Sequence, residues 1–437
     1  MPAAAADSAL YRHLLGDDET ANLFTDSAEV RAMLLVEGIL AKVQGDLGII
    51  PLDSALFIDR ASREVQIDPA SLAKETATNG VPVPALVAAF RKAMEAPEHA
   101  QYIHWGATSQ DIYETAQALR LRQVIALWDK RLAEIIAKLG ALAEEHADLP
   151  MAARTYGQVA TPTSFGAVIA GWGWPLIRHR ARLAEVKGQL AVVSLGGAAG
   201  TLSAMGPEGP AVRAGLAKAL MLQDPGHSWH AERDSIAAFG AVMSGIAGSL
   251  AKMGADLVIA AQSGIGEVAI AGAGGSSTMP QKQNPVGPSV LVALARQVTA
   301  LSGALQGAAI HQQQRDGAAW FTEWLVLPQM AISTGRALAL GLDLAGRIAP
   351  MPEAMAAGLD DGSGLINAEA YTFALARHMP RPEAQAIVKA TCAKAKAGGP
   401  SLGALLAEAY PALDLSAAGG LGEAPAEARA FAAAARG

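Results

Sequence analysis

The chain is short of several things that 437 residues usually include, and each shortage excludes something. It has one cysteine, Cys392, so neither an intramolecular disulfide nor a multi-cysteine metal site can form. Aromatic residues make up only 5% and charged residues only 17%. The 34 basic residues are outnumbered by 41 acidic ones, and the net charge of -7 leaves no basic footprint for nucleic acid. Runs of alternating β-branched residues are scarce, which argues against a sheet-built fold. His227 and His230 are three apart, but no third ligand is evident in the sequence, so no metal is expected. The glycine-rich stretches lack phosphate-loop spacing, so no nucleotide or other cofactor is expected either. Residues Met1 to Asp7 show no basic segment followed by an apolar one, and the expected compartment is the cytoplasm.

What the chain does have is apolar surface. Hydrophobic residues reach 51%, with a mean hydropathy of +0.24. The most membrane-like stretch, 237–275, is interrupted by Lys252, Asp256 and Glu267. Charges at bilayer depth are costly, so its first part reads as a buried bundle helix and no membrane is expected. Helical periodicity dominates. Asp26 is the expected N-cap of a helix over 28–44, and Asp68 followed by Pro69 opens a short one. Long helices are expected over 111–146, 163–195, 231–263, 288–311 and 320–348, with Pro175 tolerated as a kink. The Ala/Gly-rich tail after Ser416 is low in complexity, and its end is expected to fray. Several long helices with short Gly/Pro breaks predict an all-α bundle. The length exceeds one compact core. Three parts are expected: 1–110, a central bundle 111–350, and a small helical domain 351–437.

Four segments concentrate chemistry. The most informative is Gly274-Gly275-Ser276-Ser277-Thr278-Met279-Pro280-Gln281-Lys282-Gln283-Asn284-Pro285. A Gly pair gives a permissive backbone, and hydroxyls, one ammonium and one amide follow in a short loop. That set suits proton exchange at a carbon next to a carboxylate. A hydroxyl exchanges the proton while Lys282 and Asn284 stabilise the enediolate. In His104-Trp105-Gly106-Ala107-Thr108-Ser109-Gln110-Asp111, hydroxyls meet free backbone amides at a helix N-terminus, a ready anion site or an ordinary cap. The third segment is Arg154-Thr155-Tyr156-Gly157-Gln158. In the fourth, His311 to Pro328, Arg315 offers a planar fork for a carboxylate. Trp320, Glu323 and Trp324 follow one helical turn apart, a spacing typical of core. Nearby, His230 is read as lining a site, and Arg233 with Asp234 as a candidate structural pair.

These segments together resemble the fumarase/aspartase superfamily. The 274–285 stretch resembles its signature loop, 104–111 its first motif block and 154–158 its second. Phe24-Thr25-Asp26, Glu37 and Leu47 to Pro51 resemble its entry region, so the likeness covers essentially the whole chain. It implies that Ser276, Lys282, Asn284 and His104 are catalytic. It also implies that Thr108, Ser109, Arg154, Thr155, Gln158, Ser277, Met279 and Arg315 contact a small polycarboxylate. A homotetramer with active sites shared between subunits is implied as well.

There is one departure. Lyases of the superfamily carry His in the second block, supported by a Glu five residues after the loop Asn, and the pair protonates the leaving group. Here those positions are Tyr156 and Ser289. A carboxylate needs no such acid, since its conjugate acid has a pKa of about 4. The resemblance therefore points to the branch that closes lactones on muconates: 3-carboxy-cis,cis-muconate would give 4-carboxymuconolactone. An adenylosuccinate-type lyase and a cycloisomerase for another substituted muconate are the alternatives. Ser276 is the first candidate proton donor, and His104 is the second.

Overall fold

A computed structural model describes residues 5–275, 278–359, 361–415 and 420–437. The fold is all-α, with long helices and, among the described residues, only short two-stranded ribbons. Among the described residues six helices exceed twenty residues: Asp26–Asp46, and, in the five segments where long helices are expected, Ser109–Glu145, Phe165–Leu190, Asp234–Ala260, Val286–Gly307 and Gly317–Ala345. The last three are long and apolar enough to cross a membrane by length and composition alone.

The chain forms two compact units. The first comprises Met1–Arg131, His179–Gly248 and Ala293–Ala339. Its core gathers Met33, Leu34, Ile58, Leu86, Phe90, Ile103, Ile112 and Leu216. The helix Asp26–Asp46 is capped by Thr25, whose hydroxyl accepts from the Ala28 amide at 3.2 Å. Asp26, expected to be the cap, instead lies in the first turn, where its charge favours the helix N-terminus. Asp68 does cap a short 3-10 turn, Pro69–Leu72.

The second unit comprises Leu132–Arg178, Ser249–Val292 and Leu340–Gly437. It contains a hairpin that the helical reading of 163–195 overlooked. Strands Pro150–Thr155 and Gln158–Ser164 pair antiparallel, with a register shift between Ala152 and Arg154. Helix begins only at Phe165. The turn is Tyr156-Gly157, both left-handed at φ 55° and 76°, as a two-residue hairpin turn requires. Tyr156 occupies a conformation that glycine tolerates and tyrosine rarely adopts. The C-terminal end does not fray: Ala424–Arg436 is helical, Phe431 is buried, and its ring meets Trp174 edge-on at 5.6 Å.

Candidate active site

In the first unit, residues 97–108 are pinned before the helix Ser109–Glu145 begins. Arg91 donates to the carbonyls of Ala100 and Ile103 at 3.2 and 3.0 Å, and Gln44 donates to the Trp105 carbonyl at 2.8 Å. His104 lies in the left-handed region at φ 65°, and its Nδ1 is 2.7 Å from Glu37 Oε1. Gly106 is also left-handed, and a Cβ there would come within 2.7 Å of Met205.

Asp111 organises the next turn. One oxygen accepts from the amides of Thr108 and Gly197, both at 2.9 Å. The other accepts from the Gly196 amide and is 2.8 Å from His230 Nε2. His230 is thus a buried support for Asp111, not a side chain open to a ligand. Gln110, fully buried, bridges outward and inward. Its Oε1 accepts from Arg315 Nε at 2.7 Å, and its Nε2 donates to Glu114 at 2.7 Å. Arg315 is exposed and also lies 3.5 Å from the Thr108 hydroxyl, so these two expected carboxylate ligands do come together.

Beneath them lies a buried charge cluster. Arg233 donates to Glu114 at 2.8 Å and to both oxygens of Glu323 at 2.8 and 2.5 Å. All three side chains are essentially inaccessible. Arg233 therefore pairs with Glu114 and Glu323 and not with its neighbour Asp234; a buried guanidinium requires such partners. Two carboxylates share one cation, and burial pushes the Glu114 carboxyl up to about 7 despite the pull of Arg233. Burial and Arg233 hold His311 below its ordinary value. Trp320 is core, as its spacing suggests, and meets Tyr113 edge-on at 5.4 Å.

In the second unit, Arg154 does not offer an open fork. Its two terminal nitrogens donate to the two oxygens of buried Glu267 at 2.7 and 2.8 Å. That hydrogen-bonded pairing raises the Arg154 pKa, so any substrate carboxylate would compete with Glu267. Thr155 and Gln158 face each other across the hairpin turn, and Tyr156 at the tip is wholly exposed. The signature loop has a paired stem: Gly274 opposes Asn284, and Gly275 opposes Gln283. Lys282 and Met279 are exposed on that loop, and the Lys282 amide donates to the Met279 carbonyl at 3.0 Å. Ser276 and Ser277 lie outside the described residues. Ser289, where a supporting Glu would stand, donates its hydroxyl to the Pro285 carbonyl at 3.0 Å.

Sequence reasoning names Glu37, Asp111 and Glu323 within motifs but gives them no supporting role, and it passes over Glu114. Glu37 sits in the run Leu34-Leu35-Val36-Glu37-Gly38-Ile39-Leu40, and a lone acid in so apolar a stretch needs a buried partner. Asp111 and Glu114 lie three residues apart at the start of the amphipathic helix Ser109–Glu145, and such a helix gives no comparable signal, because acids on it are ordinarily solvated.

Comparison with known proteins identifies the family and the fold. The lyase family matches residues 17–300. A 3-carboxy-cis,cis-muconate cycloisomerase from Pseudomonas aeruginosa is 37% identical over 391 residues, covering 88% of this chain and 85% of that protein. A trans-aconitate decarboxylase from Mycosarcoma maydis is 34% identical over 90% of this chain and 80% of its own length. The crystal structure of a 3-carboxy-cis,cis-muconate lactonizing enzyme from Pseudomonas putida matches with a TM-score of 0.92 at 32% identity, over 98% of this chain and 99% of that one. The helical fold and these likenesses agree, and the chain belongs to the lyase family of the fumarase/aspartase superfamily.

Proposed function

We propose that this chain catalyses the intramolecular lactonisation of 3-carboxy-cis,cis-muconate to 4-carboxymuconolactone, in the breakdown of protocatechuate. The observation that carries this reading is the missing leaving-group acid. Tyr156 stands at an exposed hairpin tip, and Ser289 is turned back onto its own helix. Expelling an amine or hydroxide benefits from a proton donor, whereas a carboxylate nucleophile adds to an alkene without a base. The muconate relatives, 37% identical in one case, support the same choice.

In this reading Thr108, Ser109 and Arg315 hold carboxylates at the helix N-terminus. Arg154, Thr155, Gln158, Ser277 and Met279 complete the binding surface. Lys282 and Asn284 stabilise the enediolate that forms beside the distal carboxylate. Ser276 or His104 supplies the proton. Motifs from several copies of the chain meet in a homotetramer, which accounts for the apolar composition. The working compartment is the cytoplasm, and the functional parts are 1–110, 111–350 and 351–437.

The test is purified protein against 3-carboxymuconate, a halogenated or sulfonated muconate, trans-aconitate and adenylosuccinate. Loss of conjugated-diene absorbance with 3-carboxymuconate as the best substrate is expected. Preferred decarboxylation of trans-aconitate, or appreciable cleavage of adenylosuccinate, would overturn the assignment.

A further inference from the structure

The lyase His–Glu pair is missing at 156 and 289, yet the first unit holds a different histidine–carboxylate pair. Glu37, on the helix Asp26–Asp46, is 1% exposed. Its Oε1 accepts from His104 at 2.7 Å, and its Oε2 has no hydrogen-bond partner among the described residues. A buried carboxylate with one oxygen committed to an imidazole fixes that ring's tautomer and orientation. It leaves Nε2 as the nitrogen available to a ligand. His104 is not sealed in: its side chain is 21% exposed.

The backbone adds a second, independent mark. His104 is held in the left-handed region, which a side chain other than glycine enters at a cost. Such a conformation persists only where neighbours over-determine it. The bonds from Arg91 and Gln44 to the carbonyls on both sides of His104 do so. A histidine placed with this much constraint lies on the same short segment as Thr108, the residue that meets Arg315.

We propose that His104 is the proton donor of the lactonisation and that Glu37 is the positioning residue that holds its ring for that step. The inference rests on the lactonisation reading above. A substrate carboxylate oxygen forms the new C–O bond at one end of a double bond. The π pair moves to the other end, beside the distal carboxylate, as an enediolate. That carbon takes the proton from His104 Nε2, leaving a neutral imidazole and a Glu37 carboxylate. Solvent reprotonates the ring as product leaves. No oxidant or co-reactant is needed, since the net change is an isomerisation.

The charged groups around the ring favour the protonated form. Burial pulls the His104 pKa down, but Glu37, by charge and hydrogen bond, and Asp111 on the helix Ser109–Glu145 raise it. Arg91, on the helix Val83–Met94, opposes them, and the net direction is upward. A donor must be protonated, so turnover should persist at low pH and fall as pH rises through the His104 pKa. Removing the Glu37 charge lowers that pKa and moves the fall to lower pH.

The test compares the pH dependence of kcat in wild type, Glu37→Gln, Glu37→Asp, His104→Asn and Ser276→Ala, together with a histidine NMR titration of His104. In Glu37→Gln the alkaline limb should move down by about one pH unit or more, with kcat reduced more than KM is raised. Glu37→Asp should restore part of both. His104→Asn should lose about 10²–10⁴ in kcat and the alkaline limb with it. Should Glu37→Gln fail to fold, the wild-type titration still decides, because a His104 pKa below that of a free histidine contradicts the pairing. An unmoved alkaline limb in Glu37→Gln overturns the proposal. So does near-normal turnover in His104→Asn beside a dead Ser276→Ala, which returns the role to Ser276. Failure of wild type to use any muconate would instead sink the lactonisation reading, leaving the titration to judge the pair alone.

Discussion

From Gln110 to Thr115 every residue is buried, whereas every described residue of the loop 274–284 is at least partly exposed. The first segment carries two acids and the second a lysine with amides and hydroxyls, and different forces hold them. In the first, a guanidinium shared between two carboxylates and an aspartate with four partners lock the helix start into the core. In the second, a two-residue ribbon closes the loop, and Lys282 and Met279 stand at the surface. Substitutions in the first segment should therefore act on folding as well as on activity. Those in the second should act on activity alone.

The largest expected separation is at Lys282. Lys282→Met should cut kcat by about 10²–10³, the usual effect of removing one oxyanion stabiliser, with no change in urea midpoint. A comparable loss of stability would erase the distinction between the two segments.

Arg233→Met sharpens the other side. It strands Glu114 and Glu323 in the core, and unfolding free energy should fall by about 3–5 kcal/mol. A denaturant curve that barely moves would show that the cluster is not what holds the helix start.

Glu114 gives that prediction a pH signature. Its folded-state pKa is raised to about 7, so between an ordinary carboxyl value and that pH the native protein binds more protons than the unfolded chain. Stability should then decline as pH rises from about 4.5 to about 7, and Glu114→Gln should flatten that decline. Midpoints of urea unfolding across this range check it, and an unchanged slope in the variant would contradict the assignment.

Arg315 links the two behaviours, because it is exposed yet anchored on buried Gln110. Arg315→Lys keeps the charge but loses the fork, and kcat/KM for 3-carboxymuconate should drop about tenfold or more. An unchanged value would reduce Arg315 to a structural role. The smallest effect is expected at Tyr156, where Ala should alter stability by no more than about 0.5 kcal/mol, since the side chain is fully exposed.

The long helices were legible because a 3.6-residue apolar period repeats over many turns, so tertiary context had little left to decide. The hairpin 150–164 was not legible. Its strands are short, Pro162 interrupts one of them, and the left-handed Tyr156 gives no signal that a side chain would normally give. The motifs themselves could be read in the sequence by residue type and spacing. Their supports could not, since Glu37, Glu114 and Glu323 meet His104 and Arg233 only through folding across large sequence separations. The resemblance implies that Arg154 contacts the substrate, and only the fold reveals Glu267 against it.

The central claim is that the attacking carboxylate works without the acid that lyases use on their leaving groups. The most direct measurement is kcat for 3-carboxymuconate in the double variant Tyr156→His with Ser289→Glu, which restores the lyase residues at both positions. The account predicts no gain over wild type, and a loss wherever the new side chains disturb the hairpin tip or the helix start. A marked acceleration of lactonisation would contradict it, because the carboxylate would then be shown to profit from the very pair the chain lacks.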